Sequence, residues 1–135
     1  MPSEADLESF IVLVETNAND VAIERFYAED ATIQENSDPP RRGRDTLIAG
    51  EHAFLVRWAQ VRSRCIRPVF RAGDRVVIRW NFEFTAGDGS VHHMDEISWQ
   101  RWHGNRIVEE RFYYDPAQMR GSTTMNSFVG MQATR

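Results

Sequence analysis

The spacing of apolar residues predicts three helices in the first half of this chain and mainly strands in the second half. The first helix has apolar residues at i, i+3, i+4 and i+7, and Ser3 with Asp6 resembles a capping box at its start. Residues 17–20 break this helix and cap a second one, and Asp45 caps a third that runs to about Gln60. The inward-facing residues are Leu7, Phe10, Ile11 and Val14, then Ile23, Phe26 and Tyr27, then Leu47, Ile48, Phe54, Leu55 and Trp58.

The strands are predicted on both sides of the third helix and dominate the second half of the chain. A short strand covers residues 31–34, and another covers Arg62 to Phe70, where Pro68 indicates an edge strand or a bulge. Residues 74–115 are typical of three strands joined by two tight turns. Helices followed by a run of antiparallel strands predict an α+β domain, with helices packed on one curved sheet.

The two turns predict how these last three strands align. His103–Arg106 suits a two-residue loop, and residues 86–90 suit a three-residue loop with Gly89 in the left-handed conformation. The predicted partners are Glu83–His93, Asn81–Asp95, Arg79–Ile97, Trp99–Glu110, Ile97–Phe112 and Asp95–Tyr114. Because side chains alternate between faces, all of these share one face. The other face carries Ile78, Trp80, Phe82, Phe84, Met94, Ser98, Arg111 and Tyr113.

Composition and charge narrow the functional classes. At 135 residues the chain is one domain, expected over residues 1–118, followed by a C-terminal tail, 119–135, without sustained periodicity. A net charge of -4 gives no electrostatic reason to expect binding to nucleic acid or to an anionic membrane. No apolar run is long enough to span a membrane, and the acidic N-terminus is not a signal peptide. The single Cys65 favours a reducing, cytoplasmic setting.

The polar residues of the first face are the candidates for chemistry. Asp95 lies mid-strand among apolar neighbours, so it is either a buried general acid/base or a carboxylate held in a structural hydrogen bond. His93 is its candidate partner, and Arg79 either stabilises developing negative charge or neutralises a neighbouring carboxylate. Glu35 precedes Asn36 and Asp38 and suits a solvated loop. All sixteen basic residues are Arg, which excludes a Schiff-base mechanism because no lysine can form one.

Further residues are expected to line a pocket around these groups. The predicted substrate-binding set is Asn81, Tyr27, Trp58, Trp99, Glu110, Phe112 and Tyr114. Aromatic walls suit a flat or cyclic ligand, although such residues are more often ordinary core. The spacing of a zinc site is absent, and neither a metal nor another cofactor is predicted.

Three stretches resemble the SnoaL-like branch of the nuclear transport factor two-like superfamily. They are Phe26-Tyr27-Ala28-Glu29-Asp30-Ala31-Thr32, then Arg42-Gly43-Arg44-Asp45, then Gly104-Asn105-Arg106-Ile107-Val108-Glu109-Glu110-Arg111, and the closing Tyr113-Tyr114-Asp115 fits as well. The resemblance implies a conical α+β barrel whose three N-terminal helices cover the concave face of a curved, mainly antiparallel sheet over a deep pocket. Members include polyketide cyclases, ketosteroid isomerase, limonene-epoxide hydrolase and dehydratases, so this fold alone does not give the function.

Comparison with individual members narrows the chemistry. Resemblance to ketosteroid isomerase places the carboxylate base on Glu35, which implies a pocket base there instead of a solvated loop residue, but it places the tyrosine on Val12. Resemblance to limonene-epoxide hydrolase retains only Arg79 of its catalytic set, because Asn81 and Phe112 replace the two carboxylates. Neither mechanism is therefore expected, whereas Asp95 could serve as the acid/base of a SnoaL-type cyclase.

Two functions from different classes follow. The first is a cofactor-independent enzyme that performs cyclisation, isomerisation or dehydration on a small apolar or cyclic molecule. The alternative is a non-catalytic small-molecule-binding or dimerisation module.

The second face carries an apolar band formed by Trp80, Phe82, Phe84 and Met94, and this band must be covered. In this superfamily the cover is usually a second subunit, so a homodimer through the outer sheet face is expected. Coverage by the C-terminal tail is the alternative.

Overall fold

The computed structural model describes residues 1–119 and places three helices against one six-stranded sheet. The helices are α1 (Glu4–Glu15), α2 (Asn19–Phe26) and α3 (Arg44–Leu55), and a short 3-10 helix covers Pro116–Met119. The strands are β1 (Tyr27–Glu35), β2 (Arg41–Arg42), β3 (Gln60–Ala72), β4 (Arg75–Thr85), β5 (Val91–His103) and β6 (Arg106–Tyr113). Apart from Met119, the predicted tail lies outside the described residues.

The sheet order is β2-β1-β6-β5-β4-β3, and only the β1–β6 pair is parallel among these strands. The sheet is curved but not closed, since β2 and β3 form its two edges. The predicted α+β architecture, with helices on the concave face of a mainly antiparallel sheet, is confirmed. Pro68 lies on edge strand β3, inside a register shift between Ile66 and Phe70, as its lack of a backbone donor requires.

The helix boundaries are confirmed in part. Ser3 Oγ accepts a hydrogen bond from the Asp6 amide at 3.0 Å, which caps α1 as predicted. The cap of α2 lies within the predicted residues 17–20, at Ala18, but no side chain contributes a cap hydrogen bond. The predicted cap of α3 at Asp45 is wrong, because Gly43 holds that position. Helix α3 also ends five residues before the predicted Gln60, which instead begins β3.

The predicted alignment of β4 and β5 is confirmed. Glu83 lies opposite His93, Asn81 opposite Asp95 and Arg79 opposite Ile97. Gly89 has a φ of 87°, the left-handed conformation that the three-residue loop requires. The turn therefore determines the register over the whole of this hairpin.

The predicted alignment of β5 and β6 is wrong beyond the first residues after the turn. His103 pairs with Arg106 as expected, but a register shift follows between Arg101 and Trp102. One extra residue on β6 turns every later side chain to the opposite face. Glu110 therefore lies opposite Gln100, and the observed partners of Ser98 and Ile97 are Phe112 and Tyr113.

The helices cover the face that carries the apolar band of Ile78, Trp80, Phe82, Phe84 and Met94, not the face that carries Arg79, Asn81, His93 and Asp95. Trp80, Phe82 and Met94 are all buried there, and the ring of Phe10 from α1 packs edge-on against Trp102 of β5 at 6.1 Å. The prediction that this band lies on the outside and needs a second subunit is wrong. The concave, helix-covered face is the apolar one, and the bulge adds Glu110 and Phe112 to it.

Candidate functional site

A cavity lies between the concave face of the sheet and the helices. The enclosed part of the cavity that water can fill has a volume of about 40 Å³. The space between atoms is about 510 Å³ when the open mouth is included. The narrowness favours a compact ligand. The lining residues are Phe10, Val14, Asn19, Ala22, Ile23, Tyr27, Ile33, Glu35, Arg41, Leu47, Glu51, Trp80, Phe82, Glu110 and Phe112.

Glu110 is the most enclosed carboxylate of this cavity, with 1% of its surface exposed. Its Oε1 accepts a short hydrogen bond from the Tyr27 hydroxyl, which reaches it from the start of β1. Its Oε2 accepts from Ser98 Oγ at 2.6 Å and from Gln100 Nε2 at 2.7 Å, both on neighbouring β5. Three donors from two strands hold the carboxylate in one orientation.

Gln100 is itself oriented by a further hydrogen bond. The indole Nε1 of Trp102 donates to Gln100 Oε1 at 2.9 Å. Because an indole N–H can only donate, this contact assigns the amide oxygen to the tryptophan and the amide nitrogen to Glu110. The chain Trp102–Gln100–Glu110–Tyr27 thus runs through the core with a defined direction.

Glu35 brings a second carboxylate into the cavity from the end of β1. It is 3% exposed, and its Oε2 lies 3.6 Å from Nη2 of Arg41 on edge strand β2. In the parallel β1–β6 pair, Glu35 lies beside Phe112 and Ile33 lies beside Glu110. The two carboxylates therefore project from adjacent strands, two residues apart along the sheet, onto one face.

Asn19 and Glu51 bring polar groups from the helices. Asn19, the first residue of α2, donates through Nδ2 to Glu51 Oε1 of α3 at 3.3 Å. Since a carboxylate accepts, this bond directs the amide nitrogen of Asn19 to Glu51 and leaves Oδ1 on the other side. That oxygen is buried and has no hydrogen-bond partner among the residues that the structure describes.

Four of the residues predicted for the site line the cavity: Tyr27, Glu35, Glu110 and Phe112. Two others lie elsewhere. Trp58 is buried but stacks on Phe84 at 5.1 Å, away from the residues that line the cavity. Tyr114 is half-buried, and its backbone amide donates to Asn36 Oδ1 at 3.0 Å just beyond β6.

The expected pocket position of Asp95, His93 and Arg79 is wrong, because all three lie on the outer face of the sheet. Asp95 and Arg79 form a two-point ion pair at 3.0 and 2.8 Å, and the Asp95 side chain is 46% exposed. The Arg79 guanidinium beside it lowers the pKa of the Asp95 carboxyl below its ordinary value. His93 is 68% exposed and lies 4.0 Å from Glu83.

Asn81 and Trp99 belong to this outer face as well, so the cavity contains neither. The role of general acid/base required a buried Asp95 side chain, which is not observed. The alternative, a structural ion pair, is observed.

The site also contains residues that the sequence did not predict for it. Arg41, Asn19 and Glu51 line the cavity, and Ser98 and Gln100 hydrogen-bond to Glu110. The sequence did contain a signal for the inner face of the sheet. Apolar residues alternate along β4 at Val76, Ile78, Trp80, Phe82 and Phe84, and an unbroken apolar face of a strand belongs inside.

Within residues 1–119, no three His, Cys, Asp or Glu side chains come close enough together to hold a metal ion. In the same range, no helix has the length and apolar character that crossing a membrane demands.

The chain matches the model of the SnoaL-like domain over residues 9–110, which is most of its length and includes Glu35 and Glu110. The chain belongs to the SnoaL-like domain family. None of the curated proteins matches it. Membership agrees with the fold and leaves the reaction open, because the family includes both cyclases and isomerases.

Solved structures of other SnoaL-like and NTF2-like proteins have the same fold. A Mesorhizobium loti protein described as a SnoaL-like polyketide cyclase is 22% identical with a TM-score of 0.68, covering 82% of this chain and 97% of its own. An NTF2-like protein of unknown function from Burkholderia pseudomallei is 16% identical with a TM-score of 0.73, covering 85% and 92%. A Catenulispora acidiphila protein with a ketosteroid isomerase-like fold, in complex with trimethylamine, is 16% identical with a TM-score of 0.70, covering 84% and 87%.

Proposed function

We propose that this SnoaL-like protein is a cofactor-independent enzyme that moves protons on a small cyclic molecule bound in the concave cavity. The observation that carries the proposal is the presence of two buried carboxylates, Glu35 and Glu110, on one face of an aromatic-walled cavity. Cyclisation, isomerisation and dehydration of carbonyl compounds share one step, the removal of a proton from the carbon beside the carbonyl group. A positioned carboxylate performs that step.

Glu35 is the proposed base. It accepts the proton from carbon, the bonding electrons move into the carbonyl group, and the negative charge develops on the carbonyl oxygen. Arg41, 3.6 Å from Glu35, supplies the positive charge that stabilises this oxygen. Glu35 then returns the proton to the same carbon, or to another carbon of the enolate in an isomerisation.

Glu110 and Tyr27 have a different role in this proposal. Both oxygens of Glu110 already accept hydrogen bonds from the protein, so this carboxylate is suited to hold Tyr27 in place. The Tyr27 hydroxyl, fixed at the cavity wall, has lone pairs that can accept a hydrogen bond from a polar group of the substrate. Tyr27 is thus a substrate contact and Glu110 a positioning residue.

Hydrogen exchange of a simple ketone tests this function without knowledge of the natural substrate. Cyclohexanone in D2O loses its α-protons when a base removes them and exchanges the proton for a solvent deuteron before returning it to carbon, and NMR follows the loss. The wild-type protein should accelerate the exchange over buffer, and Glu35→Gln should lower the rate by about 100-fold or more. An exchange rate equal to that of buffer, or a Glu35→Gln variant as fast as the wild type, would overturn the proposal.

A binding module is the second candidate, and the contacts that the two buried carboxylates make with the protein favour it. Glu110 accepts three hydrogen bonds and Glu35 pairs with Arg41, an arrangement that also suits a pocket built only to hold a ligand. Binding of cyclohexanone in the cavity without any exchange would support this reading over the enzyme.

We further propose that the protein works as a homodimer in the cytoplasm. The outer face of the sheet carries an exposed apolar pair, Ile97 and Tyr113, on adjacent strands β5 and β6. Such a pair at the middle of a sheet face favours burial against a second copy of the chain. The single, buried Cys65 is compatible with a reducing compartment.

A further inference from the structure

The charge of the cavity wall points to the kind of ligand it selects. Three carboxylates, Glu35, Glu51 and Glu110, line the cavity, whereas Arg41 is the single lysine or arginine among the described lining residues. Negative groups thus outnumber positive ones by two. Water screens such charges weakly inside an apolar, enclosed space, so the wall repels anions and attracts cations.

Neutral donors orient two of these carboxylates. Glu110 accepts from a tyrosine, a serine and a glutamine, and Glu51 accepts from Asn19. All of these donors are neutral groups, which orient a carboxylate without adding positive charge. Arg41 offsets one of the three negative charges through its contact with Glu35.

Two other features of the wall suit an organic cation. Aromatic rings from α1, β1, β4 and β6 surround the carboxylates, and the faces of such rings attract cations. These rings are Phe10, Tyr27, Trp80, Phe82 and Phe112. Asn19 Oδ1 is a buried acceptor without a hydrogen-bond partner among the described residues, and an N–H group of an ammonium ligand can satisfy it.

We propose that the cavity selects a small organic cation, an alkylammonium or cyclic ammonium compound, over neutral and anionic molecules of the same shape. This inference rests on the proposal that the concave cavity is the functional site, and it names the substrate class. Glu51 and Asn19, on the helices opposite Glu35, contact the ammonium group, while the aromatic rings contact its carbon atoms. The narrow space limits the ligand to a compact one.

Three probes with one tert-butyl group test this selection, namely tert-butylammonium, tert-butanol and pivalate. Their affinities are measured by NMR titration of the full chain at neutral pH. The cation should bind at least about tenfold more tightly than the alcohol, and pivalate should bind most weakly. Equal or tighter binding of tert-butanol or pivalate would overturn the inference, as would the absence of cation-induced shifts at the cavity.

Matched variants locate the effect. Glu51→Gln should reduce the preference for tert-butylammonium over tert-butanol several-fold, mainly through weaker binding of the cation, and retained binding of tert-butanol shows that the cavity is intact. Glu83→Gln removes the same charge from the outer face and should leave the preference as it is. An undiminished preference in Glu51→Gln, or an equal loss in Glu83→Gln, would contradict the assigned contact.

The two proposals can fail separately. Exchange of the α-protons of cyclohexanone without a preference for the cation would support the proposed enzyme activity and contradict the proposed ligand class. A preference for the cation without exchange would support the ligand class in a binding module and contradict the enzyme activity.

Discussion

At the scale of single residues, Asp95 shows how position decides what a carboxylate does. It is half exposed on the outer face and bound at two points by Arg79, so its charge is already engaged. Glu35, at the end of β1, is buried beside an aromatic wall. Both are acidic residues within strands, and only the face to which each one turns separates a surface ion pair from a candidate base.

The Asp95–Arg79 pair predicts a specific pH dependence of stability. Because Arg79 lowers the pKa of Asp95 in the folded protein, the pair stabilises the fold fully above the ordinary pKa of an aspartate, about 4. This contribution is lost as the pH falls through the lowered, folded pKa. Asp95→Asn should therefore cost about 0.2–1 kcal/mol at pH 7, the value of an exposed ion pair, and less at an acidic pH at which Asp95 is protonated.

Urea unfolding at both pH values measures this difference, and a double-mutant cycle with Arg79→Gln isolates the pair. A cost of Asp95→Asn that stays the same at low pH would show that the ion pair is not its source.

Cys65 should react slowly in the folded protein. It is 7% exposed, and burial raises the pKa of its thiol, so little thiolate is present and little of it is accessible. Reaction with a thiol reagent such as DTNB should be at least about 100-fold slower in buffer than in denaturing urea. Similar rates in the two conditions would mean that Cys65 is accessible in the folded state.

At the scale of elements, the orientation of β5 decides which side chains can form a site. Met94 is fully buried beneath the helices, and its neighbour His93 points outward. Met94→Ala should cost about 2–5 kcal/mol of unfolding free energy, whereas His93→Ala should change it by less than about 0.5 kcal/mol. Chemical denaturation of the two variants compares adjacent positions on one strand, and a larger effect at His93 would reverse the assigned faces.

The sequence predicted the hairpin turns well because local chemistry governs them. Gly89 has the left-handed conformation that its loop requires, and the β4–β5 register follows from it. The shift between Arg101 and Trp102 has no comparable local signal, because it is set by how β6 packs between β5 and β1. That single shift moved Glu110 and Phe112 from the outer face to the cavity.

At the scale of the whole molecule, the α+β class followed from the order of helices and strands, but the site did not. Glu35 and Arg41 come from the consecutive strands β1 and β2, whereas Glu110 comes from β6, which is far away in sequence and adjacent only in the folded sheet. Periodicity along one strand cannot reveal such a cluster. Family resemblance indicated Glu35, which lies in the cavity, whereas the strand alignment grouped Glu110 with Asp95, His93 and Arg79, and of these four only Glu110 lines the cavity.

The proposed dimer makes a prediction at this scale. Ile97→Asp places a charge at the middle of the outer face and should convert a homodimer into a monomer, since an unpaired charge is costly to bury. Light scattering after size exclusion should give twice the chain mass for the wild type and the chain mass for the variant. Val12→Asp, at an exposed position of α1, is the control and should remain dimeric. A monomeric wild type would refute the homodimer.

In the proposed enzyme, proton transfer takes place in the concave cavity and not on the outer face of the sheet. The most direct test is the rate of cyclohexanone α-proton exchange in D2O for two variants that each convert one carboxylate into its amide. Glu35→Gln should lower the catalysed rate by about 100-fold or more, and Asp95→Asn should keep the wild-type rate. Loss of exchange in Asp95→Asn with full activity in Glu35→Gln would contradict this location of proton transfer.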